Sequence, residues 1–236
     1  MRHSLVPFIL RGSTLIVGCF GLAWGAFVLP RSELADDFRD TEDRLLHFET
    51  FSPPSLTRIM HSGNSQDLSA CDTHSQRAIL LMEMSLAESA LRSGTVAEFD
   101  RRTHSLETRS KRILSCAPRQ SFVWLLIFQL EVLHGALNEH SFDLLAMSYE
   151  TSPNEAWISI RRNLVAMPLI LVAPEPMRHK ILNEFQLLMR YGFFDVAARA
   201  YLGAPEAARS LLQTRIEQLD GSRQKAFSEA LQKFRA

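Results

Sequence analysis

The sequence predicts an all-α protein: one membrane-crossing helix near the N-terminus, then a domain of short paired helices outside the cytoplasm. Three observations lead there. Residues Ser13 to Leu29, STLIVGCFGLAWGAFVL, run without a charge. No stretch alternates apolar and polar residues with the period of two that a half-buried strand requires, whereas several repeat at helical spacing. Beyond Cys19, inside the apolar tract, the chain holds two cysteines, Cys71 and Cys116, the even count of an exported, disulfide-bonded domain.

The apolar tract comes first. A bilayer core needs about 20 apolar residues as helix, and Ser13 to Leu29 falls slightly short. Arg11 at its start would snorkel toward the headgroups. The segment from Ser4 to Leu10 then lies in the interface or lengthens the span. Pro30 ends the helix. Lys and Arg beside a span stay cytoplasmic. Arg2 and Arg11 precede the tract, Arg31 and Arg39 follow it, and the closeness of Arg11 sets the N-terminus inside. An uncleaved anchor is the reading adopted. Cleavage after Ala23-Trp24-Gly25 and lipid attachment at Cys19, after Ile16-Val17-Gly18, stay open as alternatives.

Composition narrows the rest. About 200 residues follow the tract, enough for one domain with a core. The chain holds 26 basic and 26 acidic residues, a formal net charge of zero. That argues against a nucleic-acid groove, which needs a clustered basic surface. Residues 1–30 read as cytoplasmic tip and anchor, 31–70 as an acidic amphipathic connector, and 71–236 as the helical domain.

The connector is expected to be helical from Arg31 to Thr50, with Leu34, Phe38, Leu45 and Phe48 as a thin apolar stripe. Pro53-Pro54 breaks it, Ser55 to Met60 adds a turn of helix, and His61 to Ser69 is a loop. Thr73 to Arg92 reads as one helix, with Ile79, Met82, Leu86 and Ala90 on one face. Thr95 to Ser115 reads as the next, with Phe99, Leu106 and Ile113 at heptad spacing, after a turn at Ser93-Gly94. Packed antiparallel, these helices bring Cys71 and Cys116 side by side for a disulfide. Two buried free thiols are the alternative.

Ser121 to Gly135, SFVWLLIFQLEVLHG, is apolar nearly all round and is expected to be the central buried helix. Ser141 to Glu150 is a short helix. Asn154 to Ala166 follows, with Pro153 at its start and Ser152 and Glu155 in a capping-box pattern. Pro168, Pro174 and Pro176 mark a kinked connection. Helices are then expected over Met177–Tyr191, Asp195–Leu202, Ala204–Leu219, and from Gly221-Ser222 to Phe234.

Short helix pairs suggest a repeat scaffold. Gly192-Phe193-Phe194-Asp195-Val196-Ala197, with Tyr201 and Pro205, looks like the second helix of a tetratricopeptide repeat. Leu86-Ala87, Ala90-Leu91 and Gly94 echo it, as do Trp124, Gly135 and Pro153. The Gly-to-Pro distances differ each time, so the repeats are degenerate, and a non-repeat helical bundle is the alternative.

Candidate chemistry is sparse. Glu131 and His134 form a Glu-x-x-His pair, but a dinuclear carboxylate site needs two such pairs and two further Glu. His104 and Glu107 share a helix face without further ligands. Serines lack a Gly-x-Ser-x-Gly context, and no Gly-rich loop follows a strand. No catalytic, cofactor-binding or metal-binding residue is therefore assigned, and no cofactor is expected. The densest polar motif is Ser152-Pro153-Asn154-Glu155-Ala156-Trp157, then Arg161-Arg162-Asn163. Trp157 and Arg161 stand four apart and are placed to stack. The arginine pair suits carboxylates, whether elsewhere in the domain, on a partner protein or on a polysaccharide. Trp157, Arg161 and Arg162 are the candidate partner or glycan contacts.

At this motif a resemblance emerges. Ala117-Pro118, Ser121-Phe122-Val123-Trp124-Leu125, and Tyr149, Ser152-Pro153-Asn154-Glu155, Trp157, Arg161-Arg162 resemble a group of small bitopic, degenerate tetratricopeptide-like proteins of alphaproteobacteria. These are associated with envelope or exopolysaccharide genes. The tract ending Phe27-Val28-Leu29-Pro30 is similar too. The resemblance implies a bacterial inner-membrane protein with its main domain in the periplasm. It also implies an accessory role without catalytic residues: an interaction scaffold for envelope polysaccharide assembly or export, with other envelope proteins as partners. A polysaccharide-binding module and a periplasmic enzyme with an unrecognised site are the competing readings.

The disulfide has a direct consequence. Closing the loop from residue 71 to residue 116 contributes about 4 kcal/mol in the chain-entropy model. Reduction should lower the melting temperature of the protein, and a Cys71→Ser variant should melt at one temperature with or without reductant. Equal melting temperatures for the reduced and oxidised parent would rule the stabilising role out.

Overall fold

The computed structural model describes residues 13–26, 38–46, 49–62 and 68–235. Among these residues the chain is all-α, with twelve helices and no strand. The helices are α1 (13–26), α2 (Arg39–Leu46), α3 (Pro53–Ser62), α4 (Thr73–Arg92), α5 (Val96–Cys116), α6 (Ser121–Leu133), α7 (Glu139–Thr151), α8 (Ala156–Ala166), α9 (Glu175–Arg190), α10 (Phe194–Gly203), α11 (Arg209–Glu217) and α12 (Gly221–Lys233). Short 3-10 turns cover Met167–Leu169 and Glu206–Ala208. Two compact units divide within α5, after Arg102.

In the first unit, α1 takes up the described part of the apolar tract. At about 1.5 Å per residue it is about 21 Å long, against about 30 Å of bilayer hydrocarbon. Among the described residues no helix is long and apolar enough to cross a membrane. Residues 27–30, including the expected end of the tract at Leu29 and Pro30, lie outside the described residues. So do Arg2, Arg11, Leu34, Phe48 and the centre of the expected loop over residues 61–69. The apolar side chains of α1 point outward: Leu15, Ile16, Val17, Phe20, Leu22 and Trp24 are all exposed.

Helix α2 and helix α3 pack against α4. Where the acidic connector is described it packs through its apolar stripe: Phe38 and Leu45 are buried, and Glu42 forms a largely buried ion pair with Arg77 of α4. Helix α4 spans the residues expected from its periodicity. Asp72 caps it, accepting from the Ser75 amide at 3.3 Å and the Ser75 hydroxyl at 2.7 Å. Cys71 and Cys116 are disulfide-bonded, and Cys19 is an exposed free thiol.

In the second unit, α6 and α7 form the most closely packed pair of helices. As expected from its composition, α6 is largely buried, through Phe122, Val123, Leu125, Leu126, Phe128 and Leu130. Phe128 meets Phe142 of α7 with ring centroids 5.8 Å apart. Helix α8 packs on α6 and α9, and α10 packs on α8, α9 and α12. Ala197, Ala198 and Ala200 on α10 are buried where small side chains let these helices approach.

Several boundaries differ from the sequence reading, each for a local reason. Helix α9 starts at Glu175, earlier than expected, because Pro176 sits in the first turn, where its missing N–H is no loss. The expected helix over 204–219 is shortened, since Pro205 forces Ala204 to an extended ψ of 143°. The capping box expected at Ser152 and Glu155 does not form. Ser152 instead ends α7, and α8 begins at Ala156.

Three junctions share one construction. Gly94, Gly135 and Gly192 have φ of +72°, +71° and +85°. After each, the following amide bonds back to the carbonyl five residues earlier, at Ala90, Glu131 and Leu188, and each glycine amide bonds back to the residue three before it. These are Schellman turns, which place a left-handed residue just past a helix. A Cβ added at any of the three would meet nothing within 4 Å. Glycine is therefore required by φ, not by close helix approach. Gly192→Ala should destabilise the protein by about 1 kcal/mol, and Gly192→Asn by less, as read by urea unfolding. Equal stability of Gly192→Ala and the parent would contradict the left-handed turn.

Candidate functional site

The second unit is organised around one of the two arginines whose carboxylate partner the sequence left open. Arg162 on α8 has 0% relative exposure. Its Nε and Nη2 donate to Glu184 Oε1 of α9 at 2.9 and 2.5 Å. Its Nη1 donates to the Ser148 and Ser152 carbonyls at 2.8 and 3.2 Å, at the end of α7, where carbonyls run out of intrahelical partners. Nη2 also reaches Ser159 Oγ at 3.3 Å. The guanidinium lies 3.9 Å from the centre of the Tyr149 ring, and the Tyr149 hydroxyl donates to Glu184 Oε2 at 3.0 Å. The Ser148 carbonyl accepts a further bond from Ser121 Oγ of α6 at 2.8 Å. One network thus joins α6, α7, α8 and α9. Asn163 adds a second clasp, donating to the Ile181 carbonyl of α9 at 3.1 Å.

Burial governs the electrostatics. Desolvation holds the Glu184 carboxyl above its ordinary range, against the opposing pull of Arg162. Tyr149 is pushed well above the ordinary phenol range, first by burial and then by the Glu184 charge. Tyr149 therefore stays protonated as a donor, and it is no candidate for a phenolate nucleophile.

Above this network opens a groove of about 820 Å³. Its floor includes Tyr149 and Glu184. One wall is the face of α9 carrying Lys180, Asn183, Leu187 and Tyr191, spaced three or four residues apart as one helix face requires, with Leu188 beside Leu187. The opposite wall comes from Glu150, Pro153, Asn154 and Ala156, around the start of α8, and Phe193 closes the far end of α9. Tyr191 and Leu187 are 75% and 42% exposed, so the apolar end is open. The Ser152–Trp157 motif thus contributes to the site through Pro153, Asn154 and Ala156 rather than through the residues singled out beforehand.

Those residues are placed as follows. Arg162 takes the carboxylate-pairing alternative, and its reading as a partner or glycan contact is corrected: burial leaves none of its donors to solvent. Trp157 is half-buried, packs against Phe122 with centroids 5.8 Å apart, and donates from Nε1 to Glu155 Oε2 at 3.0 Å. Arg161 is half-buried. Glu131 accepts from Ser141 Oγ at 2.6 Å, which gives it a structural task at the start of α7. Glu107 pairs with Lys111 at 2.6 Å, and that bond holds its carboxyl below the usual range. Among the described residues no group of three or more His, Cys, Asp or Glu is placed to hold a metal ion.

Sequence reasoning missed Tyr149, Lys180, Asn183, Glu184 and Tyr191. For those of α9 the one-dimensional signal was its stripe, a helix face mixing Lys, Asn, Leu and Tyr where a core-facing stripe would be apolar and a solvated one charged. No family model matches the chain, and neither a curated protein nor a solved structure does.

Removing one member of a buried pair strands the other charge, at about 3–5 kcal/mol. Arg162→Met should destabilise the protein by that amount near neutral pH. Without Arg162, nothing opposes the desolvation of Glu184 as strongly, and its folded pKa rises further. A carboxyl with a raised folded pKa favours folding below its unfolded value, about 4.3, and that contribution is lost as pH rises through the folded value. The cost of Arg162→Met should therefore grow with pH, and Arg162→Met/Glu184→Leu should recover most of it. A pH-independent cost, or no recovery in the double variant, would count against the pair.

Proposed function

We propose that this chain is a membrane-anchored interaction scaffold with its helical domain in the periplasm, an accessory subunit for envelope polysaccharide assembly or export. The observation that carries the reading is the open groove of about 820 Å³, with exposed Leu187 and Tyr191 along one helix face. Apolar and aromatic side chains left open in a rigid concavity are what a docking surface presents. Degenerate tetratricopeptide-like pairing of helices suits that role, since stacked hairpins offer extended faces to partners. The Schellman turns at Gly94, Gly135 and Gly192 are consistent with such pairing.

Two further features support the compartment. Helix α1 exposes apolar side chains all along its length, a surface that water disfavours and lipid accepts. The Cys71–Cys116 bond fits an oxidising space such as the periplasm. The resemblance over Ala117–Leu125 and Tyr149–Arg162 supplies the link to envelope polysaccharide. Direct glycan binding is the weaker reading, because Arg162, one of its three candidate contacts, is buried.

A photo-crosslinking residue at Tyr191 of the full-length protein, in native membranes, tests the scaffold. The expected result is a discrete protein adduct that is absent when the crosslinker replaces Lys225, an exposed α12 residue outside the groove lining. Identical adducts from both positions, or none from Tyr191, would overturn the reading.

A further inference from the structure

The groove changes character along its length. Lys180 and Asn183 stand at one end of the α9 wall, Leu187 and Tyr191 toward the other. The helix rises about 1.5 Å per residue, so the distance from Lys180 to Tyr191 is about 16 Å, the reach of about five residues of extended chain.

Its charge is also selective. Glu184 is saturated by Arg162 and Tyr149. Lys180 lies 5.7 Å from the Tyr149 ring centre and forms no ion pair among the described residues. Its ammonium is available to an anion at that end of the groove. Glu150 on the opposite wall, exposed at the end of α7, disfavours an anion beside it and so confines one to Lys180.

The two amides narrow the occupant further. Asn154 lies on the α7–α8 connection and Asn183 on α9, both exposed and both lining the groove. A side-chain amide offers N–H donors and a carbonyl acceptor, the complement of what an extended main chain displays at every residue. An acyl chain would cover both amides and return no hydrogen bond. A peptide satisfies them.

We infer that the groove takes an extended segment of a partner protein. An acidic side chain or terminal carboxylate of that segment pairs with Lys180. Leu- or Phe-type side chains lie on Leu187 and Tyr191, and the main chain is held between Asn154 and Asn183. This rests on the scaffold reading and specifies the chemistry of its partner.

Random octapeptides displayed on phage, selected on the purified full-length protein in detergent, provide the test. Selection should enrich an Asp or Glu within about five positions of a Leu or Phe. With Lys180→Glu the acidic preference should invert to Lys or Arg. Asn154→Ala/Asn183→Ala should weaken the best synthetic peptide by about ten-fold or more. The substituted side chains are outside the core, so melting temperatures should stay at the parent value. Absence of enrichment, or enriched sequences indifferent to Lys180→Glu, would overturn the inference. So would a fluorescent fatty acid that displaces the peptide and binds the amide variants as tightly as the parent, since that identifies an acyl chain as the occupant. A protein adduct at Tyr191 alongside failed peptide selection would reject this chemistry alone. No adduct at all would reject the scaffold reading beneath it.

Discussion

A guanidinium withdrawn from solvent sets the terms for the second unit. Removing Arg162 and Glu184 from water costs several kcal/mol per ion, and the surroundings must return it. They do so with two bonds to one carboxylate oxygen, two carbonyls at the end of α7, and an aromatic face. Such a pair is not a strong net stabiliser, because well-packed apolar side chains could do as well. Its consequence is positional. Helix α7 must stop where its last carbonyls can meet Arg162, and α9 must turn Glu184 inward. With Glu184 at the floor, helical geometry places Lys180, Asn183, Leu187 and Tyr191 along the adjoining wall of the groove.

The same constraint accounts for a misread motif. Ser152, Pro153 and Glu155 have the spacing of a helix start, and by local rules Ser152 should cap α8. The tertiary demand of Arg162 takes precedence, since a buried guanidinium needs its donors met more urgently than an exposed helix start needs its cap. Ser152 accordingly ends α7 with its carbonyl turned to Arg162. The free energy at stake at a cap is about 1 kcal/mol, smaller than the cost of a stranded charge.

Much of the fold was legible because helices announce themselves locally. The span of α4 follows from an apolar face, and the all-round apolar run of α6 marks it as buried. Gly94 and Gly192 were visible as breaks and Gly135 as the end of a helix, although only the backbone angles reveal that φ, not packing, demands glycine there. The site was legible only in fragments. Arg162 stood out as a charge without a local partner, yet nothing in one dimension pairs it with Glu184, which lies on another helix. The groove joins residues from Tyr149 to Phe193 across three helices, and its walls have no signature except together. Where α2 was expected as part of an acidic amphipathic connector, the pairing of Glu42 with Arg77 was hidden for the same reason: the partners are distant in sequence.

The proposed role joins two physical features, an exposed apolar helix over residues 13–26 and an open groove in the second unit. Both depend on rigidity in the right place, since a groove that frays cannot select a partner. Hydrogen exchange by mass spectrometry on the full-length protein, compared with Arg162→Lys, tests that dependence most directly. A lysine keeps the charge but cannot serve Glu184 and both α7 carbonyls with a planar fork. The expected result is a joint loss of protection over residues 148–152, 159–163 and 181–188, with α12 unchanged. Loss confined to α8, with the end of α7 and the α9 wall as protected as in the parent, would contradict the claim that Arg162 holds the groove together.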